Sequence, residues 1–194
     1  MQGIVWDITA IHTAYPDFLT PVIKKGIFHK DKNPFLSPNI KHVGSKKEMT
    51  DVVEHEGSCL IIATSGMLTG GASVEYFKAL APDKRHSVIL TSYQGPNTLG
   101  RRLQEGEREF MLEGETSKPE QVIVRASIYV QQGFSGHSTR NQLLAYVHHL
   151  QPKPKKIIIV HGESSKCLDL ASTLHKLNRI ETVAPKNLES IRIR

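Results

Sequence analysis

The chain has 194 residues, 39% of them hydrophobic and 23% charged, and 25 Lys and Arg against 19 Asp and Glu give a formal net charge of +6. That is enough for one compact domain or two small lobes in ordinary globular proportion, and it excludes disordered and collagen-like classes. No run approaches the roughly 18 consecutive apolar residues of a transmembrane helix, and Met1-Gln2-Gly3 opens no basic-then-apolar signal pattern, so a soluble cytoplasmic chain with no membrane partner is expected. Cys59 and Cys167 are far apart and in no C-x-x-C spacing, which points to neither a disulfide framework nor a thiolate zinc site; both read as small core residues. The positive excess suits a polyanionic partner, but Lys24-Lys25, Lys46-Lys47, Arg101-Arg102 and Lys153, Lys155, Lys156 are scattered clusters rather than a basic tail.

Short apolar runs of β type alternate with helical stretches, the pattern of a layered α/β fold with parallel strands. The amino-terminal segment is the least regular, with a helix from Ile8 interrupted at Pro16 and a loop from Asn33-Pro34 to Pro38-Asn39. Leu60-Ile61-Ile62-Ala63 reads as a buried strand that ends in Thr64-Ser65-Gly66, and Ala72 to Ala81 as a helix stopped by Pro82. Ser87 to Leu90 repeats the strand signal and runs into the loop Gln94-Gly95-Pro96-Asn97, ahead of an amphipathic stretch around Leu99 and Leu103. Glu113 to Glu120 reads as a charged connection and Val122 to Val130 as a strand. After Gly133 to Ser138 a helix is expected, N-capped by Ser138 or Thr139, with Leu143, Leu144, Val147 and Leu150 on one apolar face. Ile157 to Val160 is the clearest strand and ends in His161-Gly162-Glu163; a helix over Ser164 to Leu177 and short β pieces near Thr182-Val183 and Ile191 to Ile193 complete the chain.

In open α/β folds ligands gather where strands turn into helices, and four such turns occur: Thr64-Ser65-Gly66, Tyr93 to Gly100, Ser135 to Ser138 and His161-Gly162-Glu163. Two of them set a histidine beside a glycine, pairing a group that serves as metal ligand or acid with a backbone that lets a substrate come close. Neither a phosphate loop nor a nucleophile elbow is spelled, since no lysine follows Gly66 to Gly71 and Gly133-Phe134-Ser135-Gly136 is one position short of G-x-S-x-G. No H-E-x-x-H or H-x-H-x-D-H cluster occurs, and His148-His149, adjacent on a helix, make a poor chelate and read as surface residues.

Five ordered motifs together resemble the β-CASP branch of the metallo-β-lactamase-fold nucleases, and most of all the archaeal cleavage and polyadenylation specificity factor-like ribonucleases. They are Ser65 to Gly71 with Val74 to Phe77, Ser92-Tyr93-Gln94 with Thr98 to Arg102, Gly133 to His137, Val160 to Glu163 with Lys166 to Leu170, and the flanking pieces Ala10 to Pro16 and Ala184 to Leu188. The resemblance implies an α/β β-CASP lobe over 1–118, incomplete at its start. Over 119–194 it implies the carboxyl-terminal strands and helices of a metallo-β-lactamase αββα lobe, with an RMMBL-type segment.

It further implies a zinc-dependent ribonuclease that hydrolyses RNA phosphodiester bonds in 3'-end processing or decay. His137 matches the motif whose histidine acts as general acid toward the leaving oxygen, and His161 matches a ligand to one of two zinc ions that clamp the phosphate and activate a water. One helix and one strand fit between these two histidines, as a βαβ crossover requires. Ser65, Gly66, Thr98, Arg101, Arg102 and Ser138 are the implied contacts to RNA phosphates. The carboxyl-terminal tail, Asn187 to Arg194, matches a dimer-forming segment, so a homodimer is expected. Where archaeal-type members commonly carry Ala-Asp after the motif histidine, this chain has Ser138-Thr139. The family's H-x-H-x-D-H cluster and its other zinc ligands are not spelled here, so His161 is the one ligand on offer, and a separate chain or a longer parent is expected to supply the rest. The alternative is a non-catalytic RNA-binding or dimerisation module derived from such a nuclease.

Overall fold

The structure is a computed structural model that describes residues 1–114, 118–134 and 136–193. Part of the expected connection (Glu115 to Ser117), Ser135 of the third turn and Arg194 of the tail lie outside the described residues. Contacts divide the chain into two compact units, Met1–Ser135 and Gly136–Arg194. Two strands beyond residue 118 pair with earlier strands of the first unit.

The first unit opens with helices α1 (Ile4–Ala14), α2 (Pro21–Lys30) and α3 (Lys46–Val53). α3 starts at a capping box in which Ser45 Oγ accepts from Glu48 N and Glu48 Oε2 accepts from Ser45 N at 3.0 Å. The order continues α4 (Ala72–Leu80), β1 (Ser87–Leu90), α5 (Leu99–Gln104), β2 (Glu109–Glu113), β3 (Pro119–Ile123) and β4 (Ser127–Val130). β1 pairs parallel with β4, Ser87 opposite Ser127, while β2 and β3 form an antiparallel pair with Phe110 opposite Val122.

The expected single strand over Val122 to Val130 is therefore two. Arg125 N and Ala126 N both donate to Ala81 O, at 2.8 and 3.0 Å, and this diversion takes the chain from the side of β2 to the side of β1. β2 itself has no forerunner in the sequence reading, since Glu109 and Glu113 flank Phe110-Met111-Leu112 and hide its alternation. The core joins Leu68, Phe77, Ala81, Leu90, Leu99, Leu103, Phe110, Val122 and Val124. Phe77 meets Phe110 edge to face, with centroids 6.2 Å apart. Burying a Phe or Leu side chain of this kind stabilises by about 1.5–3 kcal/mol.

Leu60 to Ala63 does not form the buried strand expected of it. Its backbone makes a single bridge, Ala63 with Gln2, and accepts one bond, Gln2 N to Ile62 O at 3.0 Å; Leu60 is 75% exposed. Cys59, beside this run, is exposed and Cys167 is half-buried, so neither is the core residue expected; both are free thiols.

The second unit is a strand–helix alternation: α6 (Arg140–His149), β5 (Lys156–Ile158), α7 (Ser164–Asn178) and β6 (Glu181–Val183). β5 and β6 are parallel, with Lys156 opposite Glu181 and Ile158 opposite Val183. Thr139 rather than Ser138 caps α6: its Oγ1 accepts from Gln142 N while Gln142 Oε1 accepts from Thr139 N at 2.7 Å. Val147, Ala171, Leu174 and Ile180 are buried. Of the expected apolar face on α6 only Val147 is fully buried, and Leu143 is exposed. Ile191 to Ile193 is not a strand. Among the described residues no helix is long and apolar enough to cross a membrane.

Candidate functional site

In the second unit both candidate histidines stand just ahead of a helix. His137 precedes the Thr139 cap of α6 and His161 precedes Glu163, the N-cap residue of α7; both are exposed. The two helices are tied from the start of α6 to the middle of α7: Arg140, first residue of α6, donates to Asp169 Oδ2 at 2.8 Å and to Thr173 Oγ1 at 2.7 Å. The βαβ crossover expected between His137 and His161 is not formed as such, because the strand ahead of His137, β4, pairs with β1, whereas β5 pairs with β6. His161 has a backbone φ of 64°, in the left-handed region that non-glycine residues seldom occupy. The next residue has to be small, because a Cβ on Gly162 would stand 2.8 Å from Cys167 Sγ. An L-residue held at positive φ beside a packed glycine is the kind of local strain that gathers at functional sites. Ser138 is exposed between His137 and the cap, its hydroxyl left to other uses because Thr139 does the capping.

The other expected contacts all belong to the first unit. Ser65 Oγ accepts from Thr69 N at 2.8 Å and pairs with Thr69 Oγ1 at 2.9 Å, while Ser65 O accepts from Ser73 Oγ at 2.7 Å. These bonds close the turn over Ser65 to Gly71 against the start of α4. Thr98 Oγ1 donates to Gly95 O at 2.8 Å and accepts from Arg101 N at 3.2 Å, so its hydroxyl caps α5. Arg101 lies 3.5 Å from Glu105 in an exposed pair. Arg102 is held more firmly: its Nε donates to Glu107 Oε2 at 2.7 Å, its Nη2 reaches Glu107 Oε1, and its guanidinium lies 4.8 Å from the Phe110 ring centroid. Hydrogen bonding to Glu107 raises the Arg102 pKa and holds the Glu107 carboxyl below its usual range.

Sequence reasoning left Gln94 in a loop by composition, yet it is the buried polar residue of this unit, 2% exposed. Its amide Nε2 donates to Gly66 O at 2.9 Å and to Ser92 O at 3.0 Å, joining the turn at Ser65-Gly66 to the loop at Tyr93 to Gly100. Gly66 and Gly100 make room for it: a Cβ at Gly66 would lie 2.6 Å from Ser92 Oγ, and one at Gly100 would lie 1.8 Å from Gln94 Oε1. A lone polar residue set between glycine-rich turns was the available signal.

Residues 1–103 match the family model described as the Beta-Casp domain. The chain belongs to the Beta-Casp family. Residues 121–185 of this Beta-Casp chain match a second model, described as a Zn-dependent metallo-hydrolase RNA specificity domain. Among curated proteins it is 48% identical over 194 residues to the "Transcription termination factor FttA" of Thermococcus kodakarensis, covering 100% of this chain and 30% of that protein. It is 47% identical over 194 residues to the protein of the same name from Methanocaldococcus jannaschii, covering 100% of this chain and 31% of the relative. The counterpart from Lokiarchaeum sp. is 44% identical over 191 residues, 98% of this chain and 30% of the relative. The Beta-Casp chain thus spans about three-tenths of the length of the relatives it matches.

The second description implies zinc. A catalytic zinc takes about three protein ligands, and among the described residues no three His, Cys, Asp or Glu side chains stand together to hold an ion. His161 by itself does not make that site.

Proposed function

We propose that this chain is part of a zinc-dependent ribonuclease that hydrolyses RNA phosphodiester bonds, and that it contributes the general acid and one metal ligand. The observation that carries the reading is the placement of His137 and His161 ahead of two helices that Arg140 ties together. Imidazole exchanges a proton near neutral pH, so His137 has the chemistry to protonate a leaving oxygen. His161 offers one imidazole to a zinc whose further ligands lie outside these 194 residues. Ser138 in the second unit and Arg101 in the first contact phosphates in this reading, while Ser65 and Gly66 hold their turn. Thr98 and Arg102 contribute by shaping α5, since their polar groups are engaged there. The name shared by the relatives supports a role in transcription termination. A homodimer through residues 187–193 belongs to the same reading, supported by the exposure of Leu188 and Ile193; a monomer in sedimentation equilibrium counts against it.

Metal content and cleavage test the proposal together. The chain alone is expected to bind less than one zinc per molecule and to leave RNA intact. Joined to a metallo-β-lactamase lobe bearing H-x-H-x-D-H, it is expected to cleave RNA, with His137→Ala and His161→Ala each abolishing cleavage. Stoichiometric zinc and hydrolysis by the chain alone, lost on His161→Ala, overturns the divided site. No cleavage in the joined protein returns the chain to the binding-module reading.

A further inference from the structure

The net charge is not shared between the two units. Residues 1–135 hold fifteen Lys or Arg and fifteen Asp or Glu, whereas residues 136–194 hold ten against four, so the whole +6 lies in the second unit. Within that unit it collects at one end. β5 begins at Lys156, opposite Glu181 of β6, and Glu181 follows closely on Arg179, the C-cap of α7. Lys153 Nζ donates to Val147 O at 3.2 Å and to His148 O, in the last turn of α6. Lys156 Nζ donates to Arg192 O at 3.1 Å, which brings the tail to the same end. Lys153, Lys155, Lys156, Lys176, Arg179 and Arg192 thus share a pole with, among the described residues, one carboxylate side chain, Glu181. At the opposite pole, where His137 and His161 stand, Arg140 and Lys166 are paired with Asp169 and Glu163, and Glu189 accepts from Lys186 N.

Cations at helix C-termini also serve the helix dipole, and Lys153 does so here. Lys156 is taken by Glu181 at 2.8 Å. Lys155, Lys176, Arg179 and Arg192 are exposed and have no carboxylate partner among the described residues. Tyr146, in the last turn of α6, is 66% exposed and presents a flat ring at the same end of the unit. Unpaired cations next to an exposed aromatic ring are what a single-stranded nucleic acid uses, phosphates on the cations and a base on the ring. The geometry points to this pole as a second, sequence-independent binding surface for single-stranded RNA, at the end of the unit opposite the histidines. The inference rests on the RNA reading above and adds where a strand extending beyond the cleavage site would be held.

The test is fluorescence anisotropy of a labelled oligouridylate with the full 194-residue chain, titrated over salt. A Lys155→Ala/Lys176→Ala/Arg179→Ala triple is expected to bind at least about tenfold more weakly at low salt, with a log–log salt slope shallower by about 2. Tyr146→Ala should weaken binding without changing that slope. A control triple of equal charge change in the first unit, Lys25→Ala/Lys41→Ala/Lys84→Ala, should leave affinity within about twofold. Circular dichroism checks folding, and Lys155→Ala alone replaces the triple if it is lost. Equal losses in both triples, or no loss in either, overturn the surface while leaving RNA binding standing. No binding by the unaltered chain removes the RNA reading and the surface together. Displacement by polyglutamate as effective as by RNA assigns the pole to an acidic protein instead and overturns the proposal.

Discussion

Gln94 and Gly100 are fitted to one another: a Cβ on Gly100 would lie 1.8 Å from Gln94 Oε1, an oxygen that is buried without a hydrogen-bond donor among the described residues. The amide is turned this way because its NH2 end is used by Gly66 O and Ser92 O, which leaves the oxygen facing the glycine. Gly100→Ala is therefore expected to destabilise the chain by about 1–3 kcal/mol despite alanine's better helix propensity. In a Gln94→Ala background the same substitution should cost little, since the oxygen it strikes is gone. Urea unfolding of the four proteins of the cycle measures this, and additive costs would show that the two residues do not meet.

The turn at His161 separates stability from chemistry. A left-handed residue other than glycine costs about 1–2 kcal/mol, and a β-branched one more. His161→Gly should accordingly fold at least as stably as the parent, while His161→Val should lose about 1–2 kcal/mol, although both remove the imidazole. Gly162→Ala should destabilise through Cys167 Sγ and be rescued by Cys167→Ala. Denaturant midpoints of the four variants decide it, and equal midpoints for His161→Gly and His161→Val would remove the strain argument.

Much of this was legible in the residues. Ser87 to Leu90, the helix beginning at Ala72 and the strand–turn–helix around His161 were readable because period, caps and breakers agree there. Leu60 to Ala63 was misread because four apolar residues in a row specify burial only if partner strands lie beside them, and here a single bridge does. Val122 to Val130 was misread because the diversion rests on Ala81 O, a carbonyl distant in sequence with no side-chain signature. The placement of the two histidines just ahead of helices was legible from their glycine neighbours and the flanking elements. The role of Gln94 was not, since its burial follows from where two loops meet.

Thr139 is expected to carry the stability that a capping residue carries. Thr139→Ala should cost about 1 kcal/mol, as it removes the hydroxyl that accepts from Gln142 N while the Thr139 N–H to Gln142 Oε1 bond stays, whereas Ser138→Ala should be neutral in stability. If Ser138 contacts phosphate, only its substitution should weaken RNA binding without lowering the unfolding midpoint. A fall in midpoint on Ser138→Ala would mean that it, and not Thr139, holds the turn.

Acid should loosen the first unit by way of Asp83. Its carboxylate accepts Arg85 Nε at 2.9 Å and Arg85 N at 2.8 Å, and these bonds bring its pKa from an ordinary 3.8 down to about 2. Glu48 is lowered in the same direction by Gly44 N and Ser45. A depressed folded-state pKa means stability that is fully present above the unfolded value and is lost as pH falls through the folded one. The unfolding midpoint should thus decline between about pH 4 and pH 2, and Asp83→Asn should make that decline shallower. An unchanged pH profile in Asp83→Asn would show that the pair forms equally in the unfolded chain.

Arg101 and Arg102, neighbours on α5, are expected to separate cleanly. Arg102 is locked between Glu107 and the face of Phe110, which is 1% exposed and lies in the core, and a cation over an aromatic ring contributes about 0.5–1 kcal/mol at such a site. Arg102→Ala should lower the unfolding midpoint, and Arg102→Lys should only partly restore it, because an ammonium cannot both lie flat on the ring and grip both oxygens of Glu107. Arg101, held by one long exposed contact to Glu105, gives up little stability on Arg101→Ala, within about 0.5 kcal/mol. If α5 faces RNA, Arg101→Ala should weaken RNA binding and reduce its salt dependence, since the lost cation would have released a counterion. Measured side by side, a stability loss confined to Arg102 and an affinity loss at Arg101 would assign the first to the fold and the second to the ligand. The reverse pattern would place the RNA contact on Arg102 and require its pair with Glu107 to open on binding.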